Sequence, residues 1–126
     1  MFLEGHNYRP SMASFLNRFS SQCRTISEQR VIELRSLFER FVESCASLPP
    51  KAFYGKVSGK FNVLLFECVF AAQTHALAEG RSEQLDMSRL DSLKDDPDFI
   101  EATQKSTTDK ANVLTRLRRA QELAIG

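Results

Sequence analysis

The segment KFNVLLFECVFAAQTHAL, residues 60–77, constrains the fold most, because it carries apolar residues on two sides of one predicted helix. At about 100° per residue, one side is formed by Phe61, Leu65, Cys68, Ala72 and Ala76. The nearly opposite side is formed by Val63, Phe66, Phe70 and Leu77. A helix that is apolar nearly all round normally lies in a core. Residues 61–79 are therefore predicted to form a central helix, with Gly80 as its C-terminal cap.

The residues before this segment have helical spacing. A first helix is predicted to open at Pro10-Ser11 and to carry an apolar stripe of Met12, Phe15, Leu16 and Phe19. Thr25 and Glu28 have the spacing of a capping box at the start of a second helix. Its predicted single buried stripe is Val31, Leu34, Phe38, Phe41, Cys45 and Leu48. Pro49-Pro50 is predicted to end that helix, and KAFYGKVSGK is predicted to be a loop.

The residues after Gly80 predict further, shorter helices. Asp95 or Asp96 is predicted to cap a helix that has Pro97 in its first turn. Ser106 and Asp109 have capping-box spacing before a last helix with a buried stripe of Val113, Leu117, Ala120 and Ala124. No long β-type alternation occurs. The sequence therefore predicts an all-α, single-domain bundle of five to six helices over residues 1–126, with residues 1–10 as a flexible or partly ordered start.

Composition narrows the class of protein. The chain has 126 residues, of which 42% are hydrophobic and 26% charged, and this is typical of one globular domain rather than a disordered chain. The three scattered cysteines, without a CxxC pair, favour reduced thiols. Neither a signal peptide nor an apolar run of about 18 residues is recognisable. These features predict a cytoplasmic protein that does not span a membrane.

The motifs of catalytic and metal sites are not found in the sequence. His75 has no second histidine at helical spacing, so a hydrogen-bonded core histidine is favoured over a metal ligand. Cys45 and Cys68 lie on apolar stripes and are interpreted as small hydrophobic residues. The carboxylates at Asp91, Asp95, Asp96 and Asp98 lack the pattern of a calcium loop and are better explained by helix capping. We therefore expect no enzyme activity, no metal and no cofactor.

The last predicted helix carries the basic residues Lys110, Arg116, Arg118 and Arg119. Arg118 and Arg119 are predicted to point outward, where they could contact phosphate. Favourable interaction with the helix dipole explains basic residues in final turns equally well. The net charge of +1 decides nothing, because nucleic-acid binding needs a local basic patch. Arg116 is predicted to pack its stem on the buried stripe and to pair its head with a carboxylate.

Three segments together resemble one bacterial family. They are NYRPSMASFLNRF, KAFYGKVSGKFNVLLFECV and DDPDFIEATQKSTTDKANVLTRLRRA, which in that order resemble the C-terminal helical half of the GmrSD-type restriction group, catalogued as domain of unknown function 262. The likeness extends from Asn7 to Leu123. Within it, Asn62 and Arg116 match family-like positions, and both are interpreted as structural: Asn62 as a cap or a bridge to the loop, and Arg116 as an anchor of the last helix.

The resemblance also has clear departures. The family's activity is associated with a ParB-like nucleotidase half that carries a DGQQR motif and an INxxGxxL segment, and neither occurs here. Tyr54 stands where many members have an arginine, so no catalytic residue is carried over. The resemblance implies a non-catalytic helical module of a modification-dependent restriction or phage-defence protein. The alternative is a self-sufficient small binding protein that contacts nucleic acid through the basic residues of the last helix.

Two interpretations of the second apolar side of the central helix stay open at this point. In the first, Val63, Phe66, Phe70 and Leu77 are uncovered and form an interface, either in a homodimer or with a nucleotidase-like partner chain. In the second, the first helix and the Met87–Leu93 segment cover that side within the chain. The two make opposite predictions for the burial of these side chains.

Overall fold

The computed structural model describes residues 11–81 and 84–125. Six α-helices occur in them, and a π-helical segment, Gln121–Ile125, follows the last. The helices are α1 (Met12–Cys23), α2 (Glu28–Ser44), α3 (Val63–Ala78), α4 (Met87–Lys94), α5 (Pro97–Gln104) and α6 (Lys110–Ala120). Tyr54 and Phe61 form an isolated antiparallel bridge, and the described residues contain no strand. The predicted all-α bundle is confirmed, whereas the predicted flexible start lies outside the described residues.

Helix α3 is the centre of the bundle, as predicted. It packs against α2, α6 and the π-helical segment, and Leu65 and Val69 are completely buried within it. Gln73 and Thr74 are also buried, and the Thr74 hydroxyl donates to the Phe70 carbonyl at 2.7 Å. Burial of a hydroxyl without such a bond would be costly. The apolar circumference of α3 therefore reflects contact with neighbours on several sides.

Both ends of α3 follow their local sequence. The Asn62 side-chain oxygen accepts a hydrogen bond from the Leu65 amide at 3.1 Å, and the Asn62 amide donates to the Phe53 carbonyl at 2.8 Å. Asn62 thus caps the helix and ties it to the preceding loop, which confirms its predicted structural role. Gly80 has φ +87°, and its amide donates to the Leu77 carbonyl while the Arg81 amide donates to that of Ala76. These two bonds make a Schellman-type C-terminal cap.

The predicted capping box at the start of α2 is wrong. Ser27 is the N-cap, and its hydroxyl accepts from the Arg30 amide at 3.2 Å. Thr25 instead lies in the turn after α1 and donates its hydroxyl to the Gln22 carbonyl. Ser27 immediately precedes the first helical residue, Glu28, so its side chain reaches the amide three residues later whereas that of Thr25 does not.

The prediction of one buried stripe along α2 is only half correct. Phe41 is buried against α3, but Val31 and Phe38 are exposed. The reason is that α2 meets the bundle through its C-terminal half, where the Arg40 guanidinium donates to the Leu77 carbonyl at the end of α3. All residues from 20 to 33 are exposed. We call residues 20–33, the end of α1, the turn and the first part of α2, the arm.

The C-terminal helices complete the core. Asp96 caps α5 by accepting from the Phe99 amide at 2.9 Å, as predicted. Asp109 stands at the N-cap of α6, so the predicted start at Ser106, which has φ +49°, is wrong. The predicted stripe of α6 is confirmed, since Val113, Ala120 and Ala124 are buried and Leu117 packs against the core.

Helix α1 joins this part of the molecule through a small separate cluster. Phe15 and Val113 are its buried members, and Met12 and Leu117 pack against them. Leu16, which was predicted to share the buried side of α1, is exposed. Among the described residues, no helix has the length and apolar character that crossing a bilayer requires.

Candidate interaction surface

A row of aromatic rings covers the second apolar side of α3. The Phe70 ring centroid lies 4.7 Å from that of Phe41 and 6.2 Å from that of Phe38, both on α2. Phe66 lies 5.9 Å from Phe41 and 5.2 Å from Phe53 of the loop. Most pairs are tilted or edge-to-face, the arrangement that aromatic quadrupoles favour. Phe66 and Phe70 on this side of α3 are therefore covered from within the chain, by α2 and the loop.

The four residues predicted to form an interface thus have different environments. Leu77 is only 5% exposed and belongs to the core cluster, so its assignment to an open face is wrong. Its side chain lies in the last turn of α3 and packs within the main core cluster, which explains that burial. Phe66 and Phe70 are half-buried against Phe41. Val63 is 55% exposed, in the first turn of α3.

The open apolar surface lies on α2 instead. Val31, Phe38 and Val42 are 50%, 52% and 53% exposed. With a spacing of four, three and four residues, Val31, Arg35, Phe38 and Val42 share one side of the helix, about 110° from its buried side. We call these four residues the α2 stripe. Through Phe38 the α2 stripe adjoins Phe70 and hence the aromatic row.

The sequence contains a signal for this surface. Helix α2 has more apolar positions than one buried stripe needs, since Ile32, Leu37 and Val42 lie outside the predicted set. A helix with a wide apolar surface that packs mainly against one other helix must expose part of that surface. Spacing alone could not show which part, because that depends on where α3 crosses α2.

The basic residues of α6 are largely engaged within the chain. Arg119 is half-buried and binds Asp96 through two hydrogen bonds, Nη2 to Oδ1 at 2.6 Å and Nε to Oδ2 at 3.0 Å, and it also pairs with Glu122. The prediction that Arg119 points outward is therefore wrong. Arg118 is exposed and lies 3.4 Å from Glu122. Lys110 is exposed at the opposite end of α6, two helical turns away.

Arg116 is a buried cation, with only 5% of its surface exposed. Its guanidinium donates to the carbonyls of Ala102 and Thr107 at 2.8 and 2.9 Å, which ties α6 to the end of α5 and to the following turn. The predicted carboxylate partner is replaced by these two carbonyls, whereas the predicted anchoring role is confirmed. Its Nε has no hydrogen-bond partner among the described residues.

Arg116 also sets the electrostatic environment of two α3 side chains. Burial raises the pKa of the Cys68 thiol to about 11, and the nearby Arg116 charge opposes that shift only in part. Burial likewise raises the pKa of Glu67, against the same positive charge. A thiol with so high a pKa is a poor nucleophile at neutral pH, since the thiolate is the reactive species. Cys68 therefore acts as a packing residue, as does Cys45, whose thiol pKa is also raised by burial.

The remaining titratable candidates have structural explanations. His75 is exposed, not in the core as predicted, and its Nε2 lies 3.0 Å from the Glu79 carboxylate one turn later. Asp91 and Asp95 lie 3.7 and 2.8 Å from the Lys56 ammonium, and Asp96 is the cap of α5 described above. Within residues 11–81 and 84–125, no group of three or more His, Cys, Asp or Glu side chains is arranged to hold a metal ion.

Comparison with known proteins adds no assignment. No protein-family model, curated protein or solved structure matches the chain. The α2 stripe and the aromatic row behind it are therefore the features from which a function is argued.

Proposed function

We propose that this chain is a helical protein-interaction module that binds its partner through the α2 stripe. The observation that carries the proposal is the exposure of Val31, Phe38 and Val42 on a helix whose first residues, 28–33, are all exposed. Exposed apolar patches larger than a few hundred Å² are uncommon on monomers and mark interaction sites. Removal of such surface from water favours association by about 25 cal/mol per Å² before the costs of binding are subtracted.

The continuity of the surface with the core supports the same function. Phe38 packs on Phe70, which in turn contacts Phe41 and Phe66, so a partner bound at Phe38 would rest on well-packed aromatic residues. Rigid aromatic anchors are typical of the centre of protein interfaces. The proposal moves the interface from the predicted side of α3 to the neighbouring side of α2.

The biological setting that we propose comes from the resemblance to GmrSD-type proteins. In that setting the chain supplies no catalytic group and supports a ParB-like nucleotidase half that carries the DGQQR motif. A cytoplasmic location belongs to the same proposal, and the free cysteines Cys23, Cys45 and Cys68 suit a reducing compartment. The alternative of nucleic-acid binding gains no support from α6, because Arg119 is held by Asp96 and Arg118 lies beside Glu122.

The proposal is tested by calorimetric titration of the chain with a separately purified DGQQR-containing protein from the same genome. We expect Phe38→Lys to weaken binding at least 10-fold, because a charge in the centre of an apolar interface must be desolvated. Ile100→Lys is the matched control, since Ile100 is an exposed apolar residue on α5, away from the stripe. Equal affinities of the two variants, or no binding by the unmodified chain in this assay and no self-association, would overturn the proposal.

A further inference from the structure

We propose that the α2 stripe binds a second copy of this chain, with the two α2 helices antiparallel about a two-fold axis. This inference rests on the proposed function, because it names a partner for the same surface. Three observations carry it: the spacing of the stripe, the charge at its centre, and the division of α2 into a half that is held by the bundle and a half that is not.

The spacing fits antiparallel pairing. Residues at intervals of four, three and four form the seam along which two helices pack side by side. If the two-fold axis passes between Ser36 and Leu37, Val31 lies opposite Val42 of the partner subunit, and Arg35 lies opposite Phe38 of the partner subunit. Each facing pair of residues along the two helices then contains at least one apolar side chain.

The charge of Arg35, at the centre of the α2 stripe, favours a second copy as the partner and an antiparallel direction for the second α2 helix. Arg35 and Glu39 are exposed, and neither forms an ion pair with the residues that the structure describes. Placing Arg35 in an interface without an anion would be costly. In the antiparallel pair, Arg35 lies beside both the ring of Phe38 of the partner subunit and Glu39 of the partner subunit, which supply a cation–π contact and an ion pair. A parallel pair would instead bring the two Arg35 side chains together.

The arm explains how two bundles can approach each other in this way. Phe38 and Val42 lie on the half of α2 that packs on α3, whereas Val31 lies in the arm, where no side chain is buried by its own chain. Antiparallel pairing places the arm of each copy against the bundle-attached half of the other α2. Val31, which is 50% exposed in a single copy, then becomes a buried residue.

Reciprocal charge reversal tests the inference by sedimentation velocity from about 1 to about 300 μM, the range in which weak dimers dissociate. We expect the unmodified chain to dimerise, and Arg35→Glu and Glu39→Arg each to raise the dimer dissociation constant at least 10-fold. An equimolar mixture of these two variants should form a heterodimer, since each copy then supplies the opposite charge. The double variant R35E/E39R should dimerise again. The control Glu101→Arg reverses an exposed charge on α5 and should leave the constant unchanged.

The outcomes separate this inference from the function on which it rests. A chain that stays monomeric at the highest concentration, or single variants that dimerise like the unmodified chain, would overturn the antiparallel pair. If such a chain still bound the DGQQR-containing protein and lost that binding with Phe38→Lys, the proposed function would stand and the inference alone would fail. Rescue in the mixture supports a second copy specifically, because no other partner restores complementarity between these two variants.

Discussion

At the scale of single residues, Asp96 combines two structural roles in the C-terminal half. It caps α5 by accepting from the Phe99 amide, and it binds the Arg119 guanidinium of α6 with both oxygens. These two hydrogen bonds from Arg119, and then the one from Phe99, lower the pKa of the Asp96 carboxyl below its usual value. The carboxylate therefore links α5 to α6 only while it is ionised.

The consequence is a defined pH dependence of stability. Because the folded-state pKa of Asp96 is depressed, its contribution is present above the unfolded-state value of about 4 and is lost as the pH falls through the lower, folded-state value. We expect Asp96→Asn to reduce the free energy of unfolding by about 1–3 kcal/mol at pH 7. The difference between variant and unmodified chain should shrink below about pH 4. Urea unfolding between pH 7 and pH 2.5 measures this difference in the free energy of unfolding. A difference that stays constant over that range would contradict the role of the ionised Asp96 carboxylate.

Gly80 is the second residue with a specific requirement. Its φ of +87° is unfavourable for residues with a side chain, although nothing lies within 4 Å of the position that a Cβ would take. We therefore expect Gly80→Ala to lower stability by about 1 kcal/mol through backbone strain alone. Asn tolerates the left-handed region better, so Gly80→Asn should lose less. Thermal unfolding of the two variants checks this order, and equal losses would point to a different cause.

At the scale of helices, α2 has two sides with different energetic roles. Phe41 is buried against Phe66 and Phe70, whereas Phe38 is half exposed at the edge of the same aromatic row. We expect Phe41→Ala to cost about 3–5 kcal/mol, as for other buried aromatic residues, and Phe38→Ala clearly less. The two variants remove the same atoms from positions one turn apart on one helix. Urea unfolding at low protein concentration, where association is negligible, measures both. Similar losses would mean that Phe38 is a core residue.

Helix α2 also shows which features were predictable from sequence and which were not. The caps Asn62 and Gly80, and Asp96 as one of two candidates, are correctly predicted, because a cap depends on a few neighbouring residues. Thr25 and Ser106 were assigned wrongly, because more than one polar residue had suitable spacing and only the backbone direction at Ser27 and Asp109 decided between them. Which apolar side of α2 is buried depends on the crossing with α3, which is a long-range property that periodicity does not contain.

Periodicity alone also does not locate the candidate interaction surface. The excess of apolar residues was recognised on α3, where local composition is most apolar, and Phe70 is indeed part of the aromatic row. Leu77 turned out to be a core residue and Val42 an exposed one, because α2 and α3 share a single contact that covers part of each. The sequence therefore indicates that apolar surface is left uncovered, but it does not show which helix carries that surface.

At the scale of the whole molecule, the core is distributed unevenly. Helix α3 packs against α2, α6 and the π-helical segment, and α5 is joined to α6 by Arg116 and Arg119. The arm, in contrast, contributes no buried residue. Opening of its helical turns therefore exposes little additional apolar surface, whereas opening of α3 requires the whole core to separate.

This difference predicts two levels of protection in amide hydrogen exchange. At low protein concentration we expect the amides of residues 31–36 to exchange by local opening, at a free-energy cost of about 1–3 kcal/mol, and those of residues 66–77 only near the global unfolding energy of about 5–15 kcal/mol. An antiparallel pair would add a further effect, because it buries Val31 and its neighbours. Raising the concentration should then slow exchange in residues 31–36 of the unmodified chain, but not in Arg35→Glu. If residues 31–36 were as well protected as α3 at low concentration, contacts within a single copy would already hold this part of α2. The reason for expecting a partner there would then be lost.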